Sequence, residues 1–559
     1  MQNGQLSHVA GATDQPLLRS SIGAALRETA TRYANNEAVV SVFQGHRLSY
    51  AELDREADRV AAALLSLGVK IGDRVAIWSA NRTEWLIAHH GAVRIGAVVV
   101  TVNPALRKDE AFYVFENSGA KIIFASRVFR GFSFADVLTE IRPDLSNLKE
   151  LVFFDAGAGG LFWNDFLALG KESDRAEVAN REKSVTADLP CSLQYTSGTT
   201  GKPKGALLTH HNILNNGHFV GERQRLSPTD RICLPVPFFH CFGIVLGALA
   251  AITHASAIIL PSESFDPKVA LEAIASEKCT SFYGVPMMFI SVISHPDLGA
   301  TDVSSLRTGV MGGAPCPIET MRQAGDLLHM KEITVAYGMT ETSPISFQSL
   351  PDDSDEDRVT TCGKIHPHLE AKIVNPGTGE TVPHGAPGEL CIRGYSVMEG
   401  YWRNPEATGD AIDSDGWMHS GDLAIMRPDG YVQIVGRIKN TIIRGGENIY
   451  PREVEEFLLT LSPISEAYVF GIPDNKYGEE TCVWIRLKNG AQSTPEQIRE
   501  LCKGKIATFK IPRYVRFVDS FPTTASGKVQ YFRMREAEQE LIAKESQTRL
   551  RNGQSFRHM

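Results

Sequence analysis

The sequence predicts an α/β protein in two parts, a large N-terminal body followed by a small unit in which helices and strands mix. Three observations carry that reading. Helical periodicity alternates with β-branched runs over the first part of the chain, hairpin punctuation crowds the stretch after about residue 385, and a compact set of helix and strand patterns begins near residue 440. The first 20 residues are polar and aperiodic, and they are expected to fray. A helix then opens at Ser49 with Glu52 as a capping box, carries Leu53, Ala57, Val60, Ala61 and Leu64 on one face, and stops at Gly68. Asp73–Trp78 reads as a strand, a helical stretch runs from about Glu84 to Ile95, and Ala97–Val102 reads as the next strand. Such alternation argues for βαβ units and a parallel sheet covered on both faces. Further on, Asp415-Gly416 and Pro428-Asp429-Gly430 punctuate short alternating runs such as Tyr431–Val435, which read as hairpins. In the last part, a helix is expected over Pro451–Leu459, strands near Ala467–Phe470 and Thr481–Leu487, and another helix from Thr494-Pro495-Glu496-Gln497. The domains are therefore placed at 21–438 and 439–545, between a 20-residue N-terminus and a basic tail over 546–559.

Composition narrows the function. With 57 Lys plus Arg against 65 Asp plus Glu, the 559 residues carry a net charge of −8, and at 43% hydrophobic and 22% charged they suit a globular core. No general field attracts nucleic acid or anionic lipid, so any bound polyanion needs a local site. Nine cysteines without a CxxC pair point to a reducing compartment, and the N-terminus shows no signal or transit pattern, so a cytoplasmic protein is expected. The longest apolar run, Gly243–Leu260, is broken by Thr253, His254 and Ser256 and reads as a buried helix leading into a strand, not as a membrane span.

The most informative stretch is Tyr195-Thr196-Ser197-Gly198-Thr199-Thr200-Gly201-Lys202-Pro203-Lys204-Gly205. Glycines let backbone N–H groups turn toward an anion, hydroxyls add donors and lysines add charge, a combination suited to polyphosphate. It is not a Walker A loop, because the four-residue spacer and the Ser or Thr after Lys are missing. Thr196–Gly205 resembles the signature loop of the AMP-forming adenylating enzymes, the superfamily of acyl-CoA synthetases, peptide-synthetase adenylation domains and firefly-type luciferases. Further motifs extend the resemblance from about residue 25 to 540. Gly436–Pro451 and Cys502–Pro512 are most similar to medium-chain fatty acyl-CoA synthetases. The resemblance implies a β-barrel-like subdomain in the large domain and a mobile small domain.

It also implies a two-step reaction: a carboxylic acid and ATP with Mg²⁺ yield acyl-AMP and pyrophosphate, then coenzyme A takes the acyl group. On the nucleotide side it assigns Thr196, Ser197, Gly198, Thr199, Thr200, Gly201, Lys202 and Lys204 to phosphate and Gly313, Ala314 and Pro315 to the adenine pocket. In Tyr337-Gly338-Met339-Thr340-Glu341, Tyr337 packs on adenine, Thr340 meets the α-phosphate and Glu341 holds Mg²⁺. Asp422 accepts the ribose hydroxyls, Ile434 lines the site, and Arg437 bonds ribose or phosphate. Lys528 bridges the acyl carboxylate and the α-phosphate, where a fixed ammonium offsets the meeting of two anions. Lys439 is the hinge, and Arg444, Gly445 and Gly446 approach the pantetheine arm of coenzyme A. For the acid, Phe238, Phe239, His240, Phe242 and Gly243 shape the channel, with Val285, Met287 and Met288 as further lining. Amino-acid-activating relatives carry an aspartate in this motif, while here His240 stands near that place. An unpaired substrate ammonium would be costly to bury, so an uncharged tail fits.

Rival readings share these nucleotide residues: loading of a carrier protein, activation of an aryl or branched acid, a luciferase-type oxygenase, or a non-catalytic nucleotide-binding relative. No carrier domain is expected, because the chain ends shortly after Lys528. Chain length of the acid and oligomeric state are unread, with a homodimer left open.

Overall fold

The computed structural model describes residues 5–196, 202–314, 316–445, 447–474, 476–523 and 529–551. Within them the chain forms a large mixed α/β domain followed by a small α+β domain. The predicted helices lie where their end signals put them. Ser49 caps Tyr50–Ser66 through a capping box with Glu52, Gly68 follows at φ 74°, and Thr494 with Gln497 caps Pro495–Cys502 in the same way.

Two large sheets build the first domain. In one, Glu37–Ser41, Ala257–Leu260, Arg231–Cys233, Ser281–Gly284, Thr308–Gly312 and Glu332–Gly338 run parallel side by side. In the other, Arg74–Trp78, Val98–Val102 and Pro190–Thr196 run parallel, and Lys204–Thr209 returns antiparallel to the last of them. Burial on both faces explains why Val98–Val102 reads as an unbroken β-branched run: all five residues are buried. Helices between the sheets share one core that runs from Leu64 and Trp85 to Val245 and Tyr283. The apolar run opens as π-helix at Phe242–Leu249, continues as Ala250–His254 and enters the strand Ala257–Leu260. Among the described residues no helix is long and apolar enough to cross a membrane.

Among the described residues, the subdomain expected to be β-barrel-like is built on a five-stranded antiparallel sheet. Its hydrogen-bonded path ends at His8–Ala10 on one side and Val432–Arg437 on the other. The N-terminal residues therefore do not fray as expected from 5 onward. His8–Ala10 pairs with Leu369–Val374, and Asn215 exchanges two hydrogen bonds with the Leu18 backbone. Backbone pairing of this kind needs no apolar periodicity, so sequence pattern could not reveal it.

In the small domain, Ile464–Asp474 and Gly478–Leu487 form a long hairpin, Tyr514–Phe517 adds in parallel, and Pro451–Leu459 packs against it around Val454, Leu458, Val469 and Val483. That helix buries Glu455, whose Oε1 accepts from the Val469 N–H at 2.8 Å and the Tyr531 hydroxyl at 3.0 Å. Burial pushes its pKa up to about 7, against the lowering effect of those two donors. A carboxyl whose folded pKa exceeds its unfolded value stabilises the fold while protonated. Its contribution is whole below about pH 4.5 and is lost as pH rises through about 7. Glu455→Gln keeps both acceptor contacts and removes the titration. In full-length protein it is expected to flatten the fall in urea midpoint between about pH 5 and pH 8, a difference of about 2–3 kcal/mol. Parallel pH profiles for the two proteins would contradict this.

Candidate active site

Three parallel strands exit side by side at Gly284, Gly312 and Gly338, and the crevice beyond such carboxyl ends is where open α/β sheets bind ligands. At the last exit the chain turns so sharply that a Cβ on Gly338 would lie 1.7 Å from the Pro344 carbonyl oxygen, so only glycine fits. The next turn, Thr340–Thr342, carries Glu341 toward the other sheet.

There the two sheets meet. Thr196 ends its strand with Oγ1 3.4 Å from Glu341 Oε1, and the Tyr401 hydroxyl donates to the same oxygen at 2.8 Å. Tyr401 is placed by pairing of Gly400–Tyr401 with Lys204–Thr209, and Lys204 Nζ lies 5.0 Å from the Tyr401 ring. Lys202 Nζ lies 5.2 Å from the ring of Tyr113. Burial, and then the Glu341 charge, push the Tyr401 phenol well above its ordinary pKa, so it stays a donor. Glu341 is 6% exposed, yet among the described residues no Lys or Arg lies within ion-pair distance of it. A buried carboxylate that meets only hydroxyls among the described residues suits a cation. Glu341 and the Thr196 hydroxyl are hard oxygen donors of the kind Mg²⁺ takes.

A second group forms where Glu332–Gly338 approaches the five-stranded sheet. The Tyr337 hydroxyl donates to Asp422 Oδ2 at 2.7 Å, and Arg437 Nε donates to Asp422 Oδ1 at 3.0 Å. Burial, then Asp422, raises the Tyr337 pKa well above its usual value. Ile434 and Tyr337 pack on the same core, so two residues predicted for one pocket share one wall. Asp422 itself is held by its turn: its N–H donates to Ser420 Oγ, and the Gly421 N–H donates to Glu389 Oε1.

The third group surrounds Gly313, at φ 81°, where a Cβ would touch Val285 Cγ1 at 3.4 Å and Phe242 Cδ1 at 3.9 Å. Ala314 follows it, and Val285 and Met288 pack on the main core. His240 Nδ1 accepts from the Phe242 N–H at 3.1 Å, which puts the proton of the neutral ring on Nε2. Cys241, not foreseen, links this motif to the nucleotide side through Sγ 3.8 Å from Thr340 Oγ1. A Cβ on Gly243 would lie 2.2 Å from the Pro237 carbonyl oxygen, so the motif folds tightly on itself. Phe238 is inaccessible and packs on Trp85, and the half-buried Phe239 lies edge-on to His240. Met287, expected as further lining, is more exposed than its neighbours. It is 47% exposed near the start of the helix Pro286–Ile293, because its neighbours Val285 and Met288 take the core-facing positions.

Lys439 lies in the short turn Ile438–Asn440 that joins the five-stranded sheet to the small domain. Arg444 makes a two-pronged ion pair with Glu480 at 2.8 and 2.9 Å, and the Gly445 N–H donates to the Tyr477 carbonyl at φ 60°. Ser197, Gly198, Thr199, Thr200, Gly201, Pro315, Gly446 and Lys528 lie outside the described residues. At the base of the segment that carries Lys528, Thr523 pairs with Val529 and the Gln530 N–H donates to the Pro522 carbonyl. A cavity of about 360 Å³ behind Tyr401, lined by Trp402, Arg403 and Thr408 among others, contains none of the predicted nucleotide residues.

The chain is similar to known proteins in sequence and in fold. The family described as AMP-binding enzyme matches residues 26–402, and its C-terminal domain matches residues 453–528. A Mus musculus protein named medium-chain acyl-CoA ligase ACSF2, mitochondrial, is 41% identical over 553 residues, 95% of this chain and 90% of its own. Among solved structures, ATP-bound MatB from Rhodopseudomonas palustris superposes with a TM-score of 0.83 at 29% identity, covering 94% of this chain and all of MatB. The anthranilate CoA ligase AuaEII in complex with anthranoyl-AMP superposes with a TM-score of 0.85 at 27% identity, covering 95% of this chain and 99% of its own.

Proposed function

This chain belongs to the AMP-binding enzyme family, and from that premise we propose that it is an ATP-dependent acyl-CoA synthetase acting on medium-chain fatty acids. The convergence of Thr196, Tyr401 and Glu341 carries the reading. A carboxylate oxygen of the acid attacks the α-phosphorus of ATP, the bond to the β-phosphate oxygen breaks, and pyrophosphate leaves. The coenzyme A sulfur then attacks the acyl carbon as its thiol proton departs, and AMP leaves with the mixed-anhydride oxygen. Mg²⁺, when bound, offsets phosphate charge, and Glu341 with Thr196 would hold it.

We assign the remaining roles to this chain's own residues. Tyr337 and Asp422 face adenosine, and Arg437, already within reach of Asp422, contributes charge beside the ribose. Thr340 and the 196–204 loop hold phosphates. Lys528 neutralises charge gathering at the α-phosphate, and Lys439 lets the small domain exchange the groups around the acyl carbon between steps. The domain boundary falls at Arg437–Lys439, and Arg444 and Gly445 belong to the thioester-forming arrangement. His240, with its proton on Nε2, orients the substrate carboxylate.

Phe242 and Val285 beside Gly313 support an apolar tail, as does the likeness to the medium-chain acyl-CoA ligase ACSF2. Nine free cysteines, eight of them buried, support a reducing compartment, the cytoplasm. Sedimentation of the purified protein decides between a monomer and a homodimer.

A panel of straight-chain, branched and aryl acids, scored by AMP release with coenzyme A present, tests the substrate. Medium-chain acids are expected to give the highest kcat/KM. Preference for aryl acids, or turnover only with a carrier protein in place of coenzyme A, would replace this assignment.

A further inference from the structure

Away from the nucleotide site, the helix His210–Arg223 carries His218 and Glu222 one turn apart, on one face. The helix Ala250–His254 ends beside them at His254. The rings of His218 and His254 stack at 5.3 Å between centroids, and Glu222 Oε1 lies 3.0 Å from His254 Nε2. One donor atom from each of the three residues lies within 4.8 Å of the others. The His254 side chain is 6% exposed, and Gly221 makes room for it, since a Cβ there would lie 2.4 Å from the ring.

The tautomer of His254 is the telling detail. Its Nδ1 lies 2.9 Å from the Ala250 carbonyl oxygen and 3.0 Å from Thr253 Oγ1, and with the Thr253 proton donated to the Leu249 carbonyl at 3.0 Å both neighbours of Nδ1 are acceptors, so Nδ1 carries the N–H. In the neutral ring, Nε2 therefore turns its lone pair toward the Glu222 carboxylate. Two lone pairs at that distance repel unless a cation or a second proton lies between them. A backbone carbonyl that holds the remote ring N–H is the arrangement that orients metal-bound imidazoles. Ligands each about 2.0–2.1 Å from one ion stand about 3.0–3.4 Å apart when adjacent, and the His254–Glu222 pair has that separation. His218 Nδ1 is buried without a hydrogen-bond partner among the described residues. Gln15 holds the other Glu222 oxygen, Oε2, at 3.3 Å, leaving Oε1 toward the imidazoles.

We propose that His218, Glu222 and His254 form a site for a divalent transition-metal ion of the zinc class. Two imidazoles and one carboxylate favour such an ion over Mg²⁺ or Ca²⁺, which take oxygen donors. The ion clamps the end of Ala250–His254 onto His210–Arg223. That short helix continues the π-helix Phe242–Leu249, whose first residue stands in the acyl wall, so the clamp steadies the wall from its far side.

Zinc content after dialysis against Zn²⁺ with excess Mg²⁺ tests the site in the full chain. Wild-type protein is expected to hold one zinc per chain that Glu222→Gln and His254→Ala lose. His419→Ala keeps it, although Glu389, Cys391 and His419 form a second group that could take a metal. Zinc should raise the Tm of wild type and leave that of Glu222→Gln, a partly exposed position suited to a folded variant, unchanged. Cobalt substitution should give visible d–d bands without thiolate charge transfer. No zinc bound by wild type, equal zinc in every variant, or a thiolate band would overturn the proposal.

Discussion

Exchanging Glu341 for Gln is expected to slow acyl-AMP formation by about 10²–10³ while leaving the fold intact. The carboxylate is 6% exposed and, among the described residues, its side-chain contacts are the Thr196 and Tyr401 hydroxyls, with no Lys or Arg at ion-pair distance. Gln keeps the acceptor for both hydroxyls and removes that charge, and Tm should therefore hold or rise. What is lost is the anionic oxygen that we propose holds Mg²⁺. Tyr401→Phe removes one donor to a charged group, worth about 1.5–3 kcal/mol, and should slow the same step by roughly 10–100-fold with a raised Mg²⁺ requirement. Pyrophosphate exchange and thermal unfolding on the same preparations separate the two effects. Parental exchange by Glu341→Gln would remove Glu341 from the site, and a lowered Tm would make it a structural residue.

The contrast between Glu341 and Tyr401 shows what the sequence makes legible. Glu341 stands in a contiguous motif with Tyr337 and Thr340, and the strand exit that presents them is encoded locally by an apolar run and a glycine. Tyr401 lies 60 residues away and reaches Glu341 through pairing of a two-residue strand with Lys204–Thr209. No periodicity marks a strand that short. The same holds for Tyr337 and Asp422, 85 residues apart, each visible in its own motif while their hydrogen bond depends on how two sheets abut. Helix caps such as Ser49 with Glu52 are legible because both partners lie within one turn. The pairing of His8–Ala10 is not, because a sheet edge accepts backbone of nearly any sequence. Met287 shows the same limit: nothing in the sequence separates it from the partly buried Val285 and Met288, while the helix phase of Pro286–Ile293 leaves it 47% exposed.

Exchanging Lys439 for Pro should uncouple the two half-reactions. Lys439 is an exposed residue within the turn Ile438–Asn440, and the Thr441 N–H closes that turn on the Arg437 and Ile438 carbonyls at 3.1 and 3.2 Å. Beyond it the small domain has apolar cores of its own, around Val454 and Val483 and around Phe470 and Trp484. Between the strand Val432–Arg437 and the helix Pro451–Leu459 lies a cavity of about 330 Å³ lined by Gln433, Tyr450, Arg452 and Glu456 among others. A seam that holds a void in place of close packing is cheap to open, so rotation of the small domain is set by the backbone at the turn. Pro fixes φ at residue 439 and drives Ile438 out of the helical region, which removes that freedom. Pyrophosphate exchange should stay close to parental, while thioester formation falls by about 10²-fold or more, because the thiol no longer meets the acyl carbon in register. Lys439→Ala, which trims an exposed side chain and leaves φ free, should retain both half-reactions. Equal loss of the two half-reactions in Lys439→Pro, or loss of thioester formation in Lys439→Ala, would assign Lys439 to the chemistry and not to the hinge.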